Sequence, residues 1–284
     1  MDNFPAFRAF VTETGLIDSA TGNASVQIPR ILGQGTTKTV GMATPPSLVE
    51  SQMELIAFPF PKGTRVPDAV LAEVEAAREA IHAIKSGFKR EEGRRRFAVA
   101  CLEQLDDPKG QKDGQFYAGR LVLKDTKDGM EWAWSVTPHY DIVSRMPPDP
   151  AFVARAHVAA VEKLKELTLP VAEFEFRLEL AWMLAQHRAR SVDVLVVDVM
   201  RMYTIAGQDE KFWQSPRRLF FRDIPEAGFV VNLISWRAQA SPDATKFEFV
   251  PATLHQTKDR QVFYMPMNAE GTDVRPMKYL RRKS

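Results

Sequence analysis

The sequence holds a single cysteine, Cys101, among 284 residues. One thiol excludes an intrachain disulfide and any zinc site built from several thiolates. Its apolar surroundings, Ala98-Val99-Ala100-Cys101-Leu102, point to a buried and inert thiol rather than a nucleophile. Histidine is also scarce. His82, His139, His157, His187 and His255 are scattered, with no HxH or HExxH pair, so zinc chemistry has no support in the sequence. No run of about eighteen apolar residues is present to span a bilayer, and no membrane partner is expected. The first ten residues, MDNFPAFRAF, carry Asp2 and lack a cationic segment followed by an apolar one. No signal peptide is read there, and a cytoplasmic location is the default expectation.

Several catalytic signatures are missing as well. Ser135, Ser144 and Ser215 are not framed by the glycines of a nucleophile elbow. The segment Gly33-Gln34-Gly35-Thr36-Thr37 lacks the second glycine and the Gly-Lys-Ser/Thr ending of a phosphate loop, and reads as a plain turn. No cofactor and no metal are therefore expected. Glu175 and Glu179, four apart on a helix, would share one face and could join His187 and Asp193 in holding a divalent cation. The acid-then-Glu-x-Lys pattern of many nucleases is absent, because Asp198 is followed by Val199 and Met200. His139, Tyr140 and Asp141 form a local trio with acid–base chemistry, which a hydrogen-bonded loop explains equally well. No catalytic residue is assigned.

What the chain does have is ordinary globular composition, 45% hydrophobic and 26% charged, with charge spread unevenly. The overall net charge is only +2, yet residues 61–100 carry nine cations against six acids and residues 201–284 carry fourteen against nine. The first concentration is the run Lys85–Arg96, KSGFKREEGRRR, with six cations and two acids in twelve residues. It follows a helical pattern that is expected to break at Gly87 and Gly93, so its cations also suit the negative end of a helix dipole. The second concentration ends in Lys278, Arg281, Arg282 and Lys283.

Elements follow from periodicity. Residues 1–60 read as strands and loops: Phe4–Thr12 is aromatic and β-branched, and Ser25–Leu32 is an edge strand bearing Pro29, with a turn at Thr21-Gly22-Asn23. Val70, Leu71, Val74, Ala77, Ile81 and Ile84 predict a long helix from Pro67 to Ser86. Phe97–Leu102, Gln115–Lys124 and Met130–Val136 read as strands, the last two as a hairpin that sets Trp132 and Trp134 on one face. That pair is either core or a stacking platform. The prolines at 147, 148 and 150 mark a boundary between a mixed subdomain, 1–147, and a second, 148–284. The second holds helices at 150–167 and 171–190, then a run at 192–203. The β-branched content of that run favours a buried strand, whereas its length, with Ser191 and Asp193 near its start, favours a third helix, the reading taken here. Strands follow at 218–221, 228–236, 246–250 and 261–265, the final two paired across the loop 255–259 with Phe247 and Phe249 facing inward. The fold class is α+β, with antiparallel strands, a central helical cluster and one long helix in the N-terminal half.

For function, the expectation is a non-enzymatic nucleic-acid-binding protein or a subunit of a nucleic-acid-handling complex. Its phosphate contacts are assigned to Lys85, Lys89, Arg90, Arg94, Arg95, Arg96, Arg217, Arg218, Lys278, Arg281, Arg282 and Lys283. Aromatic residues interleave with such cations, notably Phe212, Trp213, Phe220 and Phe221 beside Lys211 and Arg222. Two alternatives stand beside it: an assembly or adaptor subunit working through protein partners, and a metal-dependent hydrolase using the helix carboxylates.

Overall fold

The computed structural model describes residues 3–19, 23–34, 46–239, 246–258 and 261–283. The turns expected at Thr21-Gly22 and Gly35–Thr37, and Asp259 of the expected final loop, lie outside them. The fold is α+β, with two antiparallel sheets among the described residues. The chain divides into two compact units. One comprises Met1–Gln104, Asp125–Trp132 and Arg145–Arg155, the other Leu105–Lys124, Ala133–Ser144 and Ala156–Ser284.

The first unit opens with helices where strands were expected: α1 (Pro5–Glu13), α2 (Leu16–Ser19), α3 (Asn23–Ile31) and α4 (Leu48–Ile56). The reason lies in spacing. Phe7, Phe10 and Val11 in α1, and Ile28, Ile31 and Leu32 at the end of α3, recur at three- and four-residue steps and are all buried. That stripe outweighs the β-propensity of the same residues, and Pro29 sits inside α3. Of these helices α1 and α4 pack on α5 (Asp68–Phe88), α3 packs on α4 and α2 on α1, and α5 also fixes the start of α1. The Glu73 carboxylate accepts the backbone N–H groups of Ala6 and Phe7, both at 2.9 Å. Those donors have no partner within their own helix. Phe7, Phe58 and Phe60 close the core edge to face, at 5.0 and 5.2 Å between successive centroids. Next, α6 (Glu91–Leu102) replaces the strand expected at 97–102, because Phe97, Ala98, Cys101 and Leu102 are buried at helical spacing. Cys101 is fully buried, and desolvation, aided by the Asp149 carboxylate, pushes its thiol pKa well up.

The first sheet has strands in the order β1 (Lys109–Lys112), β2 (Gln115–Ala118), β3 (Leu121–Thr126), β4 (Glu131–Thr137) and β5 (Tyr140–Met146). β3 and β4 form the expected hairpin, but the strand expected over 115–124 turns back at Gly119 into β2 and β3, which pair antiparallel, and the two tryptophans are core. Trp132 lies 4.5 Å from Phe97 and 6.2 Å from Phe88, and its indole N–H donates to the Gly129 carbonyl at 2.8 Å. Trp134 is fully buried in the second unit, 4.7 Å from His157.

α7 (Pro150–Leu167) begins in the first unit and enters the second at Ala156. The second unit continues with α8 (Val171–Ala189), β6 (Val194–Leu195), α9 (Val196–Ala206), α10 (Glu210–Gln214) and α11 (Glu226–Gln239). The stretch 228–236, expected as a strand, belongs to α11. Ala227 through Ile234 are all buried, so no polar face remains to give a helical period away. Its buried Asn232 donates to the Leu167 carbonyl and accepts the Leu169 N–H, both at 2.7 Å, which satisfies the end of α7. Residues 218–220 form a 3₁₀ turn, not a strand. Phe174, Tyr203 and Phe229 meet at 5.3–5.9 Å in the helical core.

The second sheet comprises β7 (Phe247–Pro251), β8 (Phe263–Pro266) and β9 (Val274–Arg282) with β6. β7 and β8 do not pair with each other, contrary to expectation: both pair with β9, as does β6. Phe247 faces the core while Phe249 is half-buried. Among the described residues, no helix is long and apolar enough to cross a membrane.

His157 supplies a pH test of this core. It is 2% exposed, with Nε2 3.4 Å from the Ala118 carbonyl oxygen and Nδ1 3.4 Å from the Asp107 carboxylate. Burial holds its pKa below the ordinary histidine value despite both contacts, and His139 is lowered as well. A lowered folded pKa means that the unfolded chain binds protons first. Stability is then complete above the usual imidazole range and is lost as pH falls from there through the folded value. Urea midpoints should therefore drop between about pH 7.5 and about pH 5.5, less so in His157→Phe. A midpoint that rises on acidification would show a charged imidazole in the folded state.

Candidate functional site

The twelve cations assigned from sequence fall into three places. The first is the corner between α5 and α6 in the first unit. The helical pattern breaks at Lys89 and Arg90, not at the glycines: Gly87 lies within α5 and Gly93 within α6. Gly93 allows the second helix to close on the first, since a Cβ there would sit 2.1 Å from the Gly87 carbonyl oxygen. Phe88 anchors the corner, edge-on to Phe97 at 5.5 Å. Arg94 donates to the Phe88 carbonyl, one of the acceptors left open where α5 ends, and pairs with Asp125 at 3.3 Å. Arg96 pairs with Glu92 along α6. Lys85, Lys89, Arg90 and Arg95 are exposed and hold no ion pair among the described residues. Lys85 complements the end of α5, and Glu91 and Glu92 complement the start of α6, so part of the cluster serves the helix termini.

The second place is β9 in the second unit. Lys278 is only 5% exposed. Arg281 donates to Asp193 at 2.7 Å and lies 3.9 Å from Glu248, and Arg282 meets Glu179 at 3.0 Å. The hydrogen bond from Arg281 holds the Asp193 carboxyl below its usual range. Lys283 is exposed, and its backbone N–H donates to the Lys246 carbonyl. Here Arg281 and Arg282 stitch strands and helices together.

The third place is the connection from α9 to α11, residues 207–225, in the same unit. Gln208 closes its base. This 7%-exposed amide donates to the Thr204 and Arg222 carbonyls at 2.6 and 2.8 Å and accepts the Arg222 N–H at 2.7 Å. Asp209 caps α10 by accepting the Phe212 N–H at 3.0 Å. Inside the bracket Phe212 packs edge-on against Trp213 and against Phe221, at 5.6 and 5.7 Å. Trp213 stays 51% exposed, Phe221 38% and Leu219 86%. Lys211, Arg217, Arg218 and Arg222 are all exposed, and none holds an ion pair among the described residues. A cleft of about 290 Å³ opens beside the base of this loop, lined by Tyr203, Asp223, Glu226 and Phe229 among others.

Three of the carboxylates weighed for catalysis are paired elsewhere, whereas Glu175 is half-buried and His187 exposed. Glu179 joins Lys246 and Arg282, Asp193 joins Arg281, and Asp198 joins Arg201 at 2.9 Å. Among the described residues, no three His, Cys, Asp or Glu side chains converge as a metal site would require. His139 stacks on Tyr264 at 3.8 Å, the Tyr140 hydroxyl accepts the Tyr264 N–H, and Asp141 takes Lys124 and Ser135. His139 and Tyr140 thus both engage Tyr264, whereas Asp141 is engaged by Lys124 and Ser135. Sequence reasoning named the aromatics and cations of the 207–225 loop but missed Gln208, whose bracket depends on a tertiary contact that no motif announces. Comparisons with protein-family models, with curated proteins and with solved structures find no match.

Proposed function

We propose that this protein binds nucleic acid without catalysing its turnover, contacting phosphates through exposed cations of the 207–225 loop and of the α5–α6 corner. One observation carries the reading: basic side chains sort into two populations. Arg281 and Arg282 of β9 face carboxylates, whereas Lys211, Arg217, Arg218 and Arg222 stand in an exposed aromatic surface with no carboxylate paired to them among the described residues. Cations left in that state gain from phosphate contact by releasing the counterions condensed on the polyanion.

The test is the salt dependence of binding, read by fluorescence anisotropy of a labelled oligonucleotide. Each phosphate contact adds roughly 0.7 to the slope of log K against log salt for a single strand, and roughly 0.9 for a duplex. Arg217→Gln with Arg218→Gln should lower that slope by about 1.4–1.8. Arg281→Gln with Arg282→Gln should leave it unchanged. Equal slopes in all three proteins would remove the loop from the interface, and salt-independent binding would remove the reading.

The assembly reading rests on a different surface. Phe176 and Met183, 68% and 45% exposed, lie on one face of α8. A protein partner held there would be indifferent to the loop cations.

A further inference from the structure

We infer that the nucleic acid held by the 207–225 loop is single-stranded, with bases stacked on Trp213 and Phe221 and the backbone tracked by Arg217 and Arg218. The inference rests on the reading given under Proposed function and adds the class of ligand. In a duplex the base faces are already stacked on one another, so exposed rings have nothing to take. In a single strand every base presents a free π-face, and an aromatic side chain can accept it whatever the base.

The geometry fits that use in three respects. The outer rings are exposed yet held in place, because Phe212 touches both and its own ring is half-buried. Fixed rings lose little freedom when a base docks, so more of the stacking energy appears as affinity. The loop that carries them is pinned at its base by the three hydrogen bonds of Gln208 and within it by the Asp209 cap. Finally, the charges complement a phosphate chain. The cations alternate with aromatics along Lys211-Phe212-Trp213 and Arg217-Arg218-Leu219-Phe220-Phe221-Arg222. Two of the loop's three acids are engaged, Asp209 as a cap and Glu210 as acceptor from Gln214 at 2.7 Å, and the third, Asp223, lies at the loop's base beside the cleft. A surface built to enter a lipid bilayer would instead place its cations behind an apolar tip, whereas here Arg217 and Arg218 sit in mid-loop.

The test compares three probes at one ionic strength: oligo(dT) of about 20 nucleotides, a duplex of equal length, and vesicles of phosphatidylcholine with phosphatidylserine. Oligo(dT) is expected to bind more tightly than the duplex and to quench tryptophan fluorescence. Trp213→Ala should weaken oligo(dT) binding by about 5- to 150-fold, with the salt slope unchanged. Trp213→Phe, which keeps a ring, should restore most of the affinity. Trp213 is exposed, so both variants should keep the far-UV circular dichroism and urea midpoint of the parent. Equal binding of duplex and single strand, with Trp213→Ala indistinguishable from the parent, would overturn the inference while leaving nucleic-acid binding intact. Failure to bind either oligonucleotide would overturn both. Tighter binding to vesicles than to oligo(dT), lost in Trp213→Ala, would assign the loop to a membrane surface and also overturn the inference.

Discussion

Gly93→Ala is expected to lower the unfolding free energy by about 2–3 kcal/mol, a large effect for a single added methyl. The new Cβ would lie 2.1 Å from the carbonyl oxygen of Gly87 and 2.9 Å from its carbonyl carbon, both backbone atoms with little room to give. Either α6 lifts from α5 or the corner distorts, and Phe88, Phe97 and Trp132 lose contact in both cases. Gly87→Ala provides the control six residues away. A Cβ there meets nothing within 4 Å, and the residue is helical. Alanine's better helix propensity should raise stability by roughly 0.5 kcal/mol, less than a mid-helix site because the helix ends one residue on. Urea unfolding of both variants reads the pair at once. Small effects of the same sign would show that the two helices do not cross closely at this point.

Trp134→Ala should cost about 3–5 kcal/mol, the range for removing a large aromatic from a filled core. The side chain is fully buried and takes the His157 ring edge-on at 4.7 Å, so truncation leaves a void and loosens α7 from the sheet. Binding should change only in proportion to the fraction unfolded. Trp213→Ala inverts this pattern, with an unchanged urea midpoint and altered oligonucleotide binding, because its ring is half in water. The two substitutions, made side by side, separate a tryptophan that holds the fold from one that faces a ligand. Stable Trp134→Ala protein that had lost oligonucleotide binding would return the hairpin tryptophans to the role of stacking platform.

Where the apolar residues form one stripe against a polar face, the sequence shows the element almost to the residue. The helices at 68–88, 150–167 and 171–189 are of this kind. Legibility fails in two opposite situations. In α11 almost every position is buried, so periodicity vanishes and a helix resembles a buried strand. In α1 and α3 the period is present but short, and aromatic and β-branched residues with Pro29 suggest strands. The tertiary partners that settle the matter, such as Glu73 beneath the start of α1, come from distant sequence. The candidate site divides similarly. Its residue types are visible in the sequence, as Arg217 and Arg218 beside Trp213 and Phe221 show. Which cations are already matched is not visible, because the carboxylates on Arg281 and Arg282 come from α8, β7 and the segment before β6.

The position of β9 governs the order in which the second sheet can form. Among the described residues, β6, β7 and β8 find no partner in that sheet except β9, and Val194 must wait for Leu280, far along the chain. Only β8 and β9 are sequence neighbours that can close as a hairpin. β6 and β7 join by later, non-local pairings, which loop-closure entropy makes slow. Until then the edges of β6 and β7 are open to strands of other molecules. Phe247, buried in the finished sheet, lies on one of those waiting edges. The stretch most exposed to misassociation during folding is therefore the unpaired sheet, not the aromatic loop, whose rings are in water in the folded protein too.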